Sequence, residues 1–187
     1  MIVLAIDPGS RTAGYALLKK EGRKISYIAS GILKFNSSDE FLDRVTDIYD
    51  KTQSLVASYK PDCIALESLI FVKSPTALIK LAQSRGVMLA ALGRDFEKKV
   101  FEYPPNVVKS VVSGHGHADK EGIQKVLKQY LGLENFKTHD ESDAVAIALC
   151  HLLSEGKINT IPETKKTKTR GKGLAASLAH KIKEPQI

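Results

Sequence analysis

Apolar positions recur along this chain with two different periods. Ile2-Val3-Leu4-Ala5-Ile6 is a short continuous run rich in β-branched residues, which fits a buried central strand. Pro8-Gly9-Ser10 is a turn. Residues 14–18 and 25–35 follow as two more strands, joined near Glu21-Gly22. Such tight spacing predicts an antiparallel meander. The period then lengthens. Phe41, Val45, Ile48, Thr52, Leu55 and Tyr59 recur every three or four residues, which makes one face of an amphipathic helix. Pro61-Asp62 stops that helix, and residues 63–67 form another buried strand.

A second helix is predicted over 74–94. Leu78, Leu81, Arg85, Met88 and Leu92 share its face, so Arg85 either edges that face or pairs with an acid. Residues 99–103 are a last strand. Pro104-Pro105 fits a helix start, with 106–112 continuing it. Gly114-His115-Gly116-His117 reads as a loop, and 119–131 and 142–154 as the remaining helices. The order is β-β-β-α-β-α-β-α-α-α. Strands as a meander, then strands alternating with helices, give an α/β fold with a mixed sheet covered by helices. After Pro162 the apolar pattern fades. The expected division is one domain over 1–162 and a flexible basic tail over 163–187.

Composition sharpens this picture in one respect. The chain has 187 residues with 28 Lys+Arg against 21 Asp+Glu, a formal net charge of +7. Residues 163–187 hold seven of the bases (Lys165, Lys166, Lys168, Arg170, Lys172, Lys181 and Lys183) and two acids. A basic balance suits a polyanionic partner, because each neutralised phosphate releases counterions. A solvated surface explains the same numbers. Cys63 and Cys150 lie in apolar runs and read as small buried hydrophobes, with no metal-type spacing. The start has no basic leader, and no apolar run approaches the roughly 18 residues of a membrane span. The expectation is a reducing cytoplasm.

Four acids stand where acids are costly. Asp7 is the first charge after one apolar run and Glu67 after another, while Asp140 and Asp143 head the apolar helix that begins near Ala144. Each has an ordinary explanation. Asp7 precedes Pro-Gly and can start a turn. Glu67 can pair with a lysine. Asp140 and Asp143, three apart and so on one helix face, can cap the helix and favour its dipole. Yet strand ends and a helix start can converge at one edge of a mixed sheet. Crowded carboxylates repel one another unless protons or cations intervene. Oxygen ligands of this kind suit Mg²⁺ or Mn²⁺, and two such ions can clamp the attacking and leaving oxygens of a phosphodiester. The acids therefore point to a metal-dependent nuclease.

Longer motifs carry a resemblance. Ile6-Asp7-Pro8-Gly9-Ser10-Arg11 with Gly14-Tyr15, Ala65-Leu66-Glu67 with Lys73, 80–86 (Lys-Leu-Ala-Gln-Ser-Arg-Gly), Val108-Lys109 through Ala118-Asp119-Lys120, and Asp140-Glu141-Ser142-Asp143-Ala144 come in order. Over roughly residues 1–155 the chain resembles the RuvC family, the bacterial Holliday junction resolvases of the ribonuclease H-like fold. The resemblance implies a five-stranded mixed sheet and a homodimer on four-way junction DNA. It also implies paired symmetric nicks that leave 5′-phosphate and 3′-hydroxyl ends, and work beside a branch-migration complex of the RuvA and RuvB type. Asp7, Glu67, Asp140 and Asp143 match the family's catalytic metal-binding acids, with two Mg²⁺ per site and Mn²⁺ as a substitute. Lys109 and Lys120 match its basic residues near the scissile phosphate. Lys73 and Arg85 are further candidates for phosphate contact, and His115, His117 and His139 for proton transfer.

One departure stands out. The family often carries Phe at the third position after the strand Glu, where it can wedge into the junction. Here that position is Ile70, and Phe71 follows. The expected dimer element is the 74–94 helix, whose Ala77, Ala82, Gly86, Ala90 and Ala91 permit close packing; burial against the sheet explains them equally well. Three other readings stay open: a non-catalytic nucleic-acid module of the same fold, a related nuclease acting on RNA, and an actin-like ATPase suggested by Asp7-Pro8-Gly9.

Overall fold

The computed structural model describes residues 1–36, 40–69, 74–114 and 119–154. Within them β1 (Ile2–Asp7), β2 (Thr12–Glu21), β3 (Lys24–Lys34), β4 (Cys63–Glu67) and β5 (Val100–Tyr103) form one sheet in the order β3-β2-β1-β4-β5. β1, β2 and β3 pair antiparallel, as the meander predicts. β4 joins β1 in parallel, and β5 joins β4 in parallel. Parallel neighbours need a crossover between them. Here α1 (Arg44–Tyr59) leads into β4 and α2 (Pro75–Leu92) into β5. α3 (Pro105–Ser113), α4 (Lys120–Leu131) and α5 (His139–Ser154) follow.

Strand alternation splits the core into two layers. Leu4, Ile6, Ile64 and Leu66 face α1 and α2, together with Ile48, Leu55 and Met88. Val3, Ala5, Cys63 and Ala65 face the other way, against α3, α4 and the almost wholly buried α5. The same parity carries to the strand ends. Asp7 continues the row of Val3 and Ala5, and Glu67 that of Cys63 and Ala65. Both acids therefore leave the sheet on the α5 side.

Two boundaries differ from the sequence reading in a way that matters. α2 ends at Leu92, where Gly93 caps it at positive φ, and a single 3₁₀ turn, Arg94–Phe96, follows. α5 begins at His139, three residues before the predicted start. The basic tail, residues 163–187, lies outside the described residues, as do Ile70, Phe71, Lys73, His115 and His117. No helix among the described residues is long and apolar enough to cross a membrane.

Candidate active site

Parallel pairing fixes the first two acids. Ile6 stands opposite Leu66, so Asp7 and Glu67 are the next pair in register, on strands about 5 Å apart. On the other side of β1, Asp7 pairs with Gly14 of β2. That glycine is required by contact: a Cβ there would lie 1.9 Å from the backbone oxygen of Asp140. The first turn of α5 thus rests directly on β2, beside Asp7. Asp140 and Asp143, three residues apart, share that turn's inner face.

Turn formation does not account for Asp7, a lysine partner for Glu67, or capping for the α5 pair, although the first-turn position of Asp140 still favours the helix dipole. The start of α5 is capped by Thr138, whose Oγ1 accepts the Glu141 N–H at 3.2 Å. Glu141 Oε2 accepts the Lys137 N–H at 2.7 Å. This Thr-x-x-Glu arrangement resembles a capping box, and it leaves Asp140 and Asp143 surplus to capping. Glu67 makes no salt bridge, and the Asp7 carboxylate makes no turn hydrogen bond, among the described residues. Asp140 Oδ2 instead accepts the Thr12 hydroxyl at 2.8 Å, and Asp143 Oδ2 accepts from Lys120 Nζ at 3.1 Å.

Electrostatics record the crowding. Burial, then the neighbouring Glu67, Asp143 and Asp140 carboxylates, push the Asp7 acid up to about 8, against the pull of Lys120. Burial and Asp143 raise Glu67, against Lys120 and Lys109. The hydrogen bond to Asp143 raises Lys120. Glu67, Asp143, Lys109 and Lys120 line one cleft between α3, α4 and α5. Asp7 and Asp140 line a second with Pro8, Gly9, Ser10, Arg11 and Thr12. A more apolar hollow lined by Leu89, Leu92, Phe96 and Val100 lies at the opposite end of the sheet, away from all four acids.

A divalent cation suits this donor set. The available atoms are hard carboxylate oxygens from three elements, and the raised Asp7 marks negative charge that a cation would relieve. Among the described residues, no three His, Cys, Asp or Glu side chains already close into a ligand cage. Asp140 and Asp143 are turned to Thr12 and Lys120.

The remaining candidates separate. Lys109 and Lys120 join the acids. Arg85 does not: it reaches Glu102 at 2.5 Å from the α2 side of the sheet and is largely buried. Of its two expected roles, pairing with an acid is the one the structure shows. His139 meets Gln124 at 3.3 Å. Thr12, Gly14 and Glu141 were not read from the sequence as site-builders. Gly14 and Glu141 stood there only inside the motifs that carry the resemblance, and Glu141 left one further signal, the Thr138-x-x-Glu141 spacing.

Comparison with known proteins identifies the family. The profile of the family described as crossover junction endodeoxyribonuclease RuvC matches residues 3–151. A RuvC of Natranaerobius thermophilus is 39% identical over 153 residues, covering 81% of this chain and 94% of the relative. One of Serratia proteamaculans is 39% identical over 167 residues, covering 84% and 95%. The solved structure of T. thermophilus RuvC in complex with Holliday junction substrate is 27% identical. It superposes with a TM-score of 0.76 over 84% of this chain and 96% of that one. This chain belongs to the family of the crossover junction endodeoxyribonuclease RuvC.

Proposed function

We propose that this protein is a Mg²⁺-dependent endonuclease that resolves four-way DNA junctions by paired symmetric nicks. The observation that carries the reading is the meeting of Asp7, Glu67, Asp140 and Asp143 at one sheet edge, none of them needed for caps or turns. Asp7, central among them, would hold two such ions together with Glu67, Asp140 and Asp143; Mn²⁺ would substitute. Bound there, the cations supply charge stabilisation for the attacking and leaving oxygens of an in-line displacement, and favour ionisation of a water near neutral pH. The chain's own residues do the rest. Lys109 and Lys120 meet the phosphate charge from α3 and α4. Lys120 reaches the site while held by Asp143, so it is placed to stabilise charge that builds on the phosphate. The cut leaves 5′-phosphate and 3′-hydroxyl ends.

Around this centre, Ile70 or Phe71 is assigned the junction wedge and Lys73 a phosphate contact, on the family's pattern. A homodimer supplies the twofold symmetry that two matched cuts require. Its element is α2, and only part of the expected small-residue set serves it. Ala77, Ala82, Gly86 and Ala90 are exposed, whereas Ala91 is buried. Action in the cytoplasm beside a RuvA- and RuvB-type branch-migration complex completes the proposal.

The test is cleavage of a synthetic four-way junction with and without Mg²⁺, beside linear duplex and RNA hairpin competitors. Paired nicks at symmetric positions on the junction are expected. Cleavage of RNA alone would select the RNA nuclease, junction binding without cleavage the non-catalytic module, and ATP turnover without cleavage the actin-like ATPase. Asp7→Asn is expected to abolish cleavage while retaining junction affinity, because it removes the central cation ligand and leaves the lysines in place. An Asp7→Asn protein that nicks at the normal rate would remove Asp7 from the mechanism.

A further inference from the structure

The first turn of α5 is tied to the sheet at two places. One tie runs to β3: Ser30 donates its hydroxyl to Glu141 Oε1 at 2.7 Å, and Glu141 is buried. It holds the helix through a residue that turns away from the acids. The other runs to β2. Thr12 Oγ1 donates to Asp140 Oδ2 across 128 positions of sequence. Gly14, two residues on, admits the Asp140 backbone against the strand. With capping already supplied by Thr138, and anchoring by Ser30 and Glu141, the Thr12 bond has no evident work in holding the helix.

We propose that Thr12 is a positioning residue for the acid site, setting the direction of the Asp140 carboxylate. The inference rests on reading Asp140 as a cation ligand. A hydroxyl is suited to the task. It holds one carboxylate oxygen and leaves the other without a hydrogen bond among the described residues. Being neutral, it orients the acid without cancelling its charge. Lys120 on Asp143 differs in this respect, since its ammonium neutralises the carboxylate it holds. The two acids of α5 are thus held by unlike partners, and Asp140 is the one held without a countercharge. Groups that orient a metal's ligands through hydrogen bonds strongly influence its affinity.

The test separates orientation from structure. Thr12→Val keeps the shape and strand preference of the residue and removes only the donor, while Thr12→Ser keeps the donor. Mn²⁺ binding to the full chain without DNA is followed by electron paramagnetic resonance, with a melting curve for each variant. Thr12→Val should weaken Mn²⁺ binding about tenfold, and Thr12→Ser by less than about twofold. The Mg²⁺ midpoint for junction nicking should shift by the same factors, with the rate recovering at saturating Mg²⁺. A Thr12→Val protein that melts lower but binds Mn²⁺ normally would assign Thr12 to the fold alone and overturn the inference, as would a Thr12→Ser protein as weak as Thr12→Val. Asp140→Asn runs in parallel. If it too binds Mn²⁺ normally, the ligand reading fails and takes the inference with it. If it binds weakly while Thr12→Val does not, only the inference fails.

Discussion

At the scale of single residues, Asp7 sets a conflict between stability and the cation site proposed for it. Its folded-state pKa of about 8 stands above the ordinary 3.8. Below pH 3.8 folded and unfolded chains both hold the proton, and the acid costs nothing. Between 3.8 and about 8 only the folded chain retains it, so stability falls as pH rises through that window. Without a divalent cation, wild-type protein should therefore lose stability between pH 5 and 8 relative to Asp7→Asn. Allowing for screening by ions, the difference should reach about 1–3 kcal/mol at pH 8. Denaturant melts of both proteins in chelator, at several pH values, measure it. Parallel pH profiles would mean that neither burial nor the neighbouring carboxylates hold the Asp7 acid up. Asp7 and Glu67 were legible in the sequence because a strand's parity and end can be read from where an apolar run meets its first charge. Thr12 was not, and Gly14 stood only as a letter of the motif, since both touch Asp140, over a hundred residues away, and no periodicity encodes that contact.

At the scale of elements, α5 has a working end and an anchored end. The first turn presents Asp140 and Asp143. Three turns later His151 is buried between the strands that carry the other side of the site. Its Nδ1 meets the Tyr103 hydroxyl at 2.7 Å and its Nε2 the Cys63 thiol at 3.3 Å, while Phe101 packs on the ring at 4.7 Å. Tyr103 is the register partner of Glu67, and Cys63 begins the same strand. The cluster therefore fixes how far α5 slides over β4 and β5. Tyr103→Phe strands the His151 Nδ1 in the core and should cost about 1–3 kcal/mol. Burial lowers the His151 pKa, so its contribution is complete above the unfolded value of about 6.5 and is lost as pH falls below it. The acid-side loss of stability should shrink in His151→Gln; unchanged slopes in the two proteins would show that the ring is already charged or solvated. Sequence reading placed α5 but began it three residues late, because it weighed the two Asp residues as caps and passed over Thr138 and Glu141. His151 was hidden in an apolar run, where a polar network needs partners from other strands to become visible. Arg85 was half legible: its place on the apolar face of α2 left an acid partner as one of two options, but Glu102 emerges only once β5 is set beside β4.

At the scale of the whole molecule, α2 is where one copy of the chain would meet another. Ser84, Met88, Ala91 and Leu92 turn inward. On the opposite side, at helical spacing, Ile79 is 58% exposed and Ala82, Gly86 and Ala90 are exposed with it. An apolar helix with two such faces needs a second cover. Gly86 makes the argument sharper. Glycine within a helix costs about 1 kcal/mol relative to alanine, and a Cβ at this position would meet nothing within 4 Å. The isolated fold therefore gains nothing from it, whereas a closely packed partner helix would. Gly86→Leu should leave the monomer as stable or more so, by up to about 1 kcal/mol, yet hold the two helices apart. Sedimentation should then show a dimer for the wild-type chain and monomers for Gly86→Leu at the same concentration. On a plasmid bearing a cruciform, the wild-type chain should cut both strands and linearise the circle, while Gly86→Leu should release nicked circles, because each acid site still works but no longer has its symmetric twin. A Gly86→Leu protein that sediments as a dimer and linearises the plasmid at the wild-type rate would move the interface off α2.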